Sequence, residues 1–141
     1  MILLVHHAAA VGPEVDPMRP LSDAGLAAAT HLAAEAAARG VRPDAIWHSG
    51  KLRARQTAEL FRHACNPLAT FSATRGLQSD DPPRWIRDEL IHEDRSILVV
   101  GHMPHLGRLL PLLLGGDAGP AFPLHACIAL DRDGERWAEL W

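Results

Sequence analysis

Apolar positions along this chain fall into runs of two kinds. Ile2 to Val5 and Ile97 to Val100 are short, unbroken runs of Ile, Leu and Val. Such runs suit strands buried on both faces of a parallel sheet. Asp44 to His48 reads as a further strand. Elsewhere the apolar residues recur at helical spacing. Ala54, Ala58, Phe61 and Cys65 share one face of a helix predicted from about Lys51 to Ala64. Leu106, Leu109, Leu110 and Leu113 share one face of a helix that Pro104 starts and Gly115-Gly116 closes.

Boundary residues agree with this pattern. Ser22 is placed as an N-cap, with Asp23 at the positive end of the helix dipole. Leu21 and Leu26 occupy the positions of a hydrophobic staple. The Ala-rich helix that follows runs to about Arg39 and stops at Gly40. Val11 to Pro20 holds three prolines and reads as a loop. Asp81-Pro82-Pro83 reads as an N-cap with prolines in the first turn, placing Trp85, Ile86 and Leu90 towards the core. A strand is expected near Ala69–Ala73. The tail reads as strands Ala126–Leu130 and Trp137–Leu140, with Asp133-Gly134 in the turn between them.

Alternating strands and helices predict an α/β fold: a three-layer, mostly parallel open sheet with helices on both faces. The length of 141 residues, without repeats or low-complexity tracts, points to a single domain over 1–141. An apolar share of 48% is enough for one core. A net charge of −3 and the lack of a basic stripe argue against a nucleic-acid partner. Lys51 is the only lysine, so the basic residues are almost all arginine, which suits bidentate phosphate contacts. Cys65 and Cys127 make no disulfide framework and read as buried free thiols. The apolar start is too short for a signal peptide, and no run reaches membrane-spanning length. The cytoplasm is the expected compartment, with no membrane partner.

Ligands of open α/β sheets bind beyond the carboxyl ends of the strands. The polar residues that follow the predicted strands are His6 and His7, then Ser49 and Arg53, then His102. Imidazole and guanidinium together suit a phosphate. A neutral histidine can carry a phosphoryl group. Arginine clamps its oxygens through forked donors. A second histidine can donate to charge that develops in the transition state. His48 and His125 also lie close to strand ends, whereas His31, His63 and His92 read as helix-surface residues. The pairs His6–His7 and His102–His105 bring zinc to mind, but adjacent strand residues point to opposite faces and no Cys or Glu stands at a standard ligand spacing. No metal and no organic cofactor are expected.

Four segments resemble the histidine phosphatase superfamily. Val5-His6-His7-Ala8 resembles its Arg-His-Gly signature, Ser49 to Ala58 its Ser-Pro-x-x-Arg-Ala-x-Gln-Thr-Ala segment, and Gly101-His102-Met103-Pro104 its Gly-His-x-Pro segment. Arg19-Pro20-Leu21-Ser22-Asp23-Ala24-Gly25 resembles a stretch of the small SixA-like phosphohistidine phosphatases. The resemblance implies a phosphoglycerate mutase-like fold. It implies His7 as the nucleophile, with Arg53 and His102 as its catalytic partners and His6 in the place of the family's first arginine. Arg19, whose loop follows the first strand, is the candidate to compensate as a phosphate contact, and Ser49 is either a phosphate contact or a turn residue. The implied activity is hydrolysis of phosphohistidine on a protein through a phospho-His7 intermediate. A small-molecule phosphomonoesterase on the same scaffold remains open. So does a non-catalytic phosphate-binding module, because His6 and Ala8 replace the family's arginine and glycine. At an ordinary pKa, His6 carries full charge only below about pH 6.5, which would make an enzyme helped by acid. Asp80 and Asp81 are the local candidates for a general acid.

Overall fold

Strands that are apolar on both faces need cover on both sides, and the computed structural model supplies it. It describes residues 1–116, 121–133 and 136–141. The elements run β1 (Ile2–His6), α1 (Asp23–Ala38), β2 (Ala45–His48), α2 (Leu52–Cys65), β3 (Thr70–Ala73), α3 (Pro83–Ile91), β4 (Ile97–Gly101), α4 (His105–Leu114), β5 (Cys127–Asp133) and β6 (Arg136–Glu139). Among the described residues the strands form one sheet in the order β3-β2-β4-β1-β5-β6. β1, β2, β3 and β4 pair in parallel, and β5 and β6 close one side antiparallel. The fold is α/β, with helices on both faces of the sheet.

Two apolar clusters flank the sheet. Ile2, Leu4, Ile97 and Val99 pack on one face with Ile86 and Leu90 of α3 and the leucines of α4. Leu3, Val5, Leu98 and Val100 pack on the other with Ala33 and Ala36 of α1 and Ala54, Ala58 and Phe61 of α2. The four apolar residues of β1 are at most 1% exposed. Burying a side chain of that size stabilises by about 1.5–3 kcal/mol relative to leaving it exposed. The strands are therefore a stiff base for whatever follows them.

Most boundaries follow the sequence signals. Ser22 accepts from the Gly25 N–H and caps α1, and Gly40 beyond its end has φ 86. Leu26 is left 47% exposed. Gly115 ends α4 in the left-handed region, as a C-cap glycine does. Three expectations are corrected. Pro82, not Asp81, is the N-cap of α3, and the Asp81 carboxylate instead accepts from the Gln78 N–H at 2.9 Å. Trp85 is 39% exposed beside the Arg75 guanidinium, while Ile86 and Leu90 fill the core. Of the two free thiols, Cys65 is buried and Cys127 only partly so. Of the expected Asp133-Gly134 turn, Asp133 ends β5 and Gly134 lies outside the described residues. Among the described residues no helix is long and apolar enough to cross a membrane.

β1 and β4 are neighbours, yet the chain after β1 leads to α1 on one face and the chain after β4 leads to α4 on the other. Such a divergence opens a crevice at the carboxyl edge of the sheet. The register pairs His6 with Gly101 and His48 with Val100, so His7, Ser49 and His102 all leave the sheet at one level.

Candidate active site

Backbone contacts set the frame. The His7 N–H donates to the Gly101 carbonyl at 3.1 Å, continuing the β1–β4 ladder by one residue. Thr57 Oγ1 accepts from the Ala8 N–H at 3.0 Å and donates to the Arg53 carbonyl at 2.8 Å. Gln56 Oε1 accepts from the Leu21 N–H at 2.7 Å. The first turns of α2 therefore hold both the segment after β1 and the segment before α1. A Cβ at Gly25 would collide with the Ala9 carbonyl oxygen, so only glycine lets α1 approach that segment. Thr57, Gln56 and Gly25 lie inside the motif segments, but their jobs depend on partners far along the chain.

His7 has a defined tautomer. Its Nδ1 lies 2.7 Å from the Ala8 carbonyl, and a carbonyl only accepts, so Nδ1 carries the proton. The lone pair is left on Nε2. Burial, aided by the charges of Arg53 and Arg19, pushes the His7 pKa down to about 4, with the Ala8 bond pulling the other way. At neutral pH the ring is uncharged, with the lone pair free on Nε2.

His102 faces it, with ring centroids 5.0 Å apart. It is 3% exposed, and burial, then the positive groups around it, push its pKa down to about 3. Its Nε2 lies 2.6 Å from Ser49 Oγ. The Ser49 carbonyl accepts from Gln78 Nε2 at 2.6 Å, which ties the loop before α3 to the site.

Arg53 is partly buried, and its Nε is buried without a hydrogen-bond partner among the described residues. Burial and the neighbouring Arg19 charge hold its pKa below the usual arginine value. The group stays charged, because arginine does not deprotonate in proteins. Arg19 has φ 49 and donates from Nε to the Val11 carbonyl at 3.0 Å, which fixes its stem. A cleft of about 520 Å³ opens beside Arg53, lined by Ser49, Lys51, Arg53 and Gln78 among others; His7 and His102 are not part of its lining. A hollow of about 590 Å³ on the exposed face of α1, lined by Leu26, Thr30 and His31, holds no comparable group of phosphate-binding side chains.

His6 sits on the other flank and is 5% exposed. Its Nδ1 accepts from the His125 N–H at 2.9 Å, which puts the proton of the neutral ring on Nε2. Burial, then the positive groups around it, push its pKa down to about 4. The charge expected below about pH 6.5 at an ordinary pKa is therefore withheld until pH falls towards 4. His125 stacks on His6 with centroids 4.8 Å apart and planes 5° from parallel. Its Nδ1 donates to the His7 carbonyl at 2.7 Å.

His6 and His7 do not point apart. Their rings lie 4.5 Å apart, because His6 is the last residue of β1 and His7 has already left the pleat. A ring nitrogen from each of His6, His7 and His125 lies within 4.8 Å of the others, so among the described residues these three are the group that could hold a metal. They fit one poorly. Stacked rings aim their in-plane lone pairs side by side rather than at one point, and His6 Nδ1 is engaged. The remaining sequence candidates lie elsewhere. His48 turns to Phe71 and accepts from the Gly50 N–H, and His105, the first residue of α4, is fully buried. Asp80 is exposed, and neither it nor Asp81 lines the cleft.

The protein histidine phosphatase SixA, solved with tungstate, has a TM-score of 0.88 to this chain at 23% identity, over 99% of this chain and 94% of its own. A protein from Agrobacterium tumefaciens, assigned as a phosphohistidine phosphatase SixA, has 0.81 at 26% identity, over 99% and 94%. Phosphoglycerate mutase from Plasmodium falciparum has 0.72 at 18% identity, over 98% and 86%. The first and last of these are likenesses of fold. A search of curated protein sequences finds no match. The profile of the histidine phosphatase superfamily (branch 1) matches residues 4–79, from β1 through β3, and takes in His6, His7, Arg19, Ser49 and Arg53. That match covers more than half of the 141 residues, and the chain belongs to the histidine phosphatase superfamily.

Proposed function

We propose that this chain is a phosphatase that hydrolyses phosphohistidine on a protein, through a phosphoryl group carried on His7. The observation that carries the reading is the His7–Ala8 bond, which leaves Nε2 as the basic nitrogen beside His102. His7 Nε2 attacks phosphorus in line. A new P–N bond forms as the substrate's P–N bond breaks, and the substrate imidazole, already protonated on its other ring nitrogen, departs neutral with the electron pair. Arg53 and Arg19 hold the equatorial oxygens through forked donors. His102, steadied by Ser49, donates to the charge that develops. Water then attacks phosphorus, releasing phosphate and regenerating His7. One domain over 1–141 carries the whole reaction, and no metal or organic cofactor takes part.

The cleft wall favours this substrate class over a phosphomonoester. An alkoxide leaving group needs a proton donor, and neither Asp80 nor Asp81, the local carboxylates of the loop before α3, lines the cleft beside Arg53. A phosphohistidine leaves as imidazole and depends on such a donor less. The test is turnover of a phosphohistidine peptide by wild type and His7→Ala. The expected result is a loss of at least about 10³-fold in kcat, as for removal of a catalytic nucleophile. Full activity in the variant would sink the reading.

A second reading is a phosphate-binding module without turnover, and His6 in place of arginine favours it. Vanadate binding with no product from any phosphorylated substrate would establish that reading instead.

A further inference from the structure

A histidine that stands in for an arginine faces a problem the arginine does not have. Guanidinium presents donors all along its edge, whereas a neutral imidazole donates from one nitrogen only, and which one depends on its neighbours. In this chain a single residue, His125, makes that choice for His6. The His125 N–H donates to His6 Nδ1, and the His125 ring stacks flat on the His6 ring. The same ring donates from Nδ1 to the His7 carbonyl. His125 thus touches both members of the His6–His7 pair from a position 119 residues beyond His6. It does so at φ 52, a region that non-glycine residues seldom occupy and that recurs at functional sites. A ring nitrogen of His6 lies within 4.8 Å of one on His7, a gap that a phosphoryl group on one nitrogen, hydrogen-bonded to the other, would span.

We propose, on the phosphotransfer reading above, that His125 is a positioning residue that keeps the His6 proton on Nε2, so that a neutral histidine supplies the donor the signature arginine would have supplied. The donor is then a fixed dipole rather than a mobile charge. It is preorganised by backbone and stacking contacts, the condition under which a donor helps a transition state most.

The test uses the full chain and reads the tautomer directly. Long-range ¹H–¹⁵N spectra of the histidine rings at pH 7 should show His6 protonated on Nε2 alone, with that nitrogen shifting when vanadate is added. His125→Gly keeps the N–H and suits the left-handed backbone, so it removes only the ring. The backbone N–H still fixes the His6 tautomer, but the ring loses the stacked neighbour that holds its plane and the His7 carbonyl loses its donor. The variant should weaken vanadate binding about tenfold and lower kcat by a similar factor with KM within about twofold, the scale of one hydrogen bond. His125→Asn restores a donor to the His7 carbonyl and tolerates the left-handed region, so it should recover part of the loss. It also carries the test should the glycine variant fail to fold. A wild-type His6 protonated on Nδ1, or charged at pH 7, would overturn the proposal. So would a His125→Gly variant with wild-type vanadate affinity and wild-type kcat. Turnover is not needed for the spectra or the vanadate titration, so an inactive wild type would remove the phosphatase reading while leaving His125 to be judged on its own.

Discussion

Two flanks of the crevice differ in kind. The flank built from β2 and the start of α2 gathers Ser49, Lys51 and Arg53, with Arg19 close enough to depress the Arg53 pKa. The opposite flank, at the β1–β5 edge, rests on His6, which burial keeps neutral, and on the His125 ring stacked against it. His7 stands between them. The difference teaches that the fixed part of the site is its backbone frame rather than its full set of charges. The Thr57–Ala8, Gln56–Leu21 and His7–Gly101 bonds do not involve the side chain of residue 6. Exchanging that side chain leaves the frame standing and changes only what one flank offers.

Breaking the charged flank should cost most. Arg53→Ala is expected to lower kcat/KM by about 10²–10³-fold, the usual loss for one transition-state donor. Initial rates on a phosphohistidine peptide check this, and a drop below about threefold would mean Arg53 does not touch the phosphoryl group. Charging the neutral flank should move the other way. His6→Arg is expected to tighten vanadate binding about tenfold, since charge-assisted hydrogen bonds are roughly twice as strong as neutral ones. Calorimetric titration reads this, and weaker binding would show that residue 6 does not reach the anion. Ser49→Ala removes the 2.6 Å partner of His102 and should lower kcat about threefold to tenfold, the scale of about 1 kcal/mol for one hydrogen bond. An unchanged kcat would make Ser49 a turn residue only.

The pH profile sharpens the same contrast. His6 and His7 are held down to about 4 and His102 to about 3, below the ordinary histidine value. The three rings are therefore neutral from pH 8 to pH 5, and kcat/KM should show no acid rise from them. It should fall only as pH drops through about 4, where His7 loses its lone pair to a proton. Stability follows the same sign. The unfolded chain binds protons on these groups first, so the stability present above about pH 6.5 is lost progressively as pH falls towards 4. Thermal melts between pH 4 and pH 8 should show Tm falling over that window.

The fold was largely legible because its signals are local. Unbroken β-branched and leucine runs marked β1 and β4, and Ser22, Gly40 and Gly115 marked helix ends. Asp81 misled because two carboxylate uses compete at a loop–helix junction, and the Gln78 N–H won it. Placement at strand ends picked out His7, Ser49, Arg53 and His102 before any motif was invoked, and all four lie at the carboxyl edge. The His6–His7 arrangement was misread because alternation holds only inside the pleat, and His7 is outside it. His125 lay near a strand end but carried no local mark of its role. Its partners are more than a hundred residues away, across an antiparallel pairing that no periodicity announces.

The central claim is that His7 takes the phosphoryl group. Wild-type protein mixed with excess phosphohistidine peptide and quenched within milliseconds into base, where a phosphohistidine survives, tests it most directly by mass spectrometry. The account predicts one added phosphoryl group, mapped to His7 and absent from His7→Ala. Peptide hydrolysed at the full rate with no phosphoryl group on His7, or with the group on another residue, would contradict it.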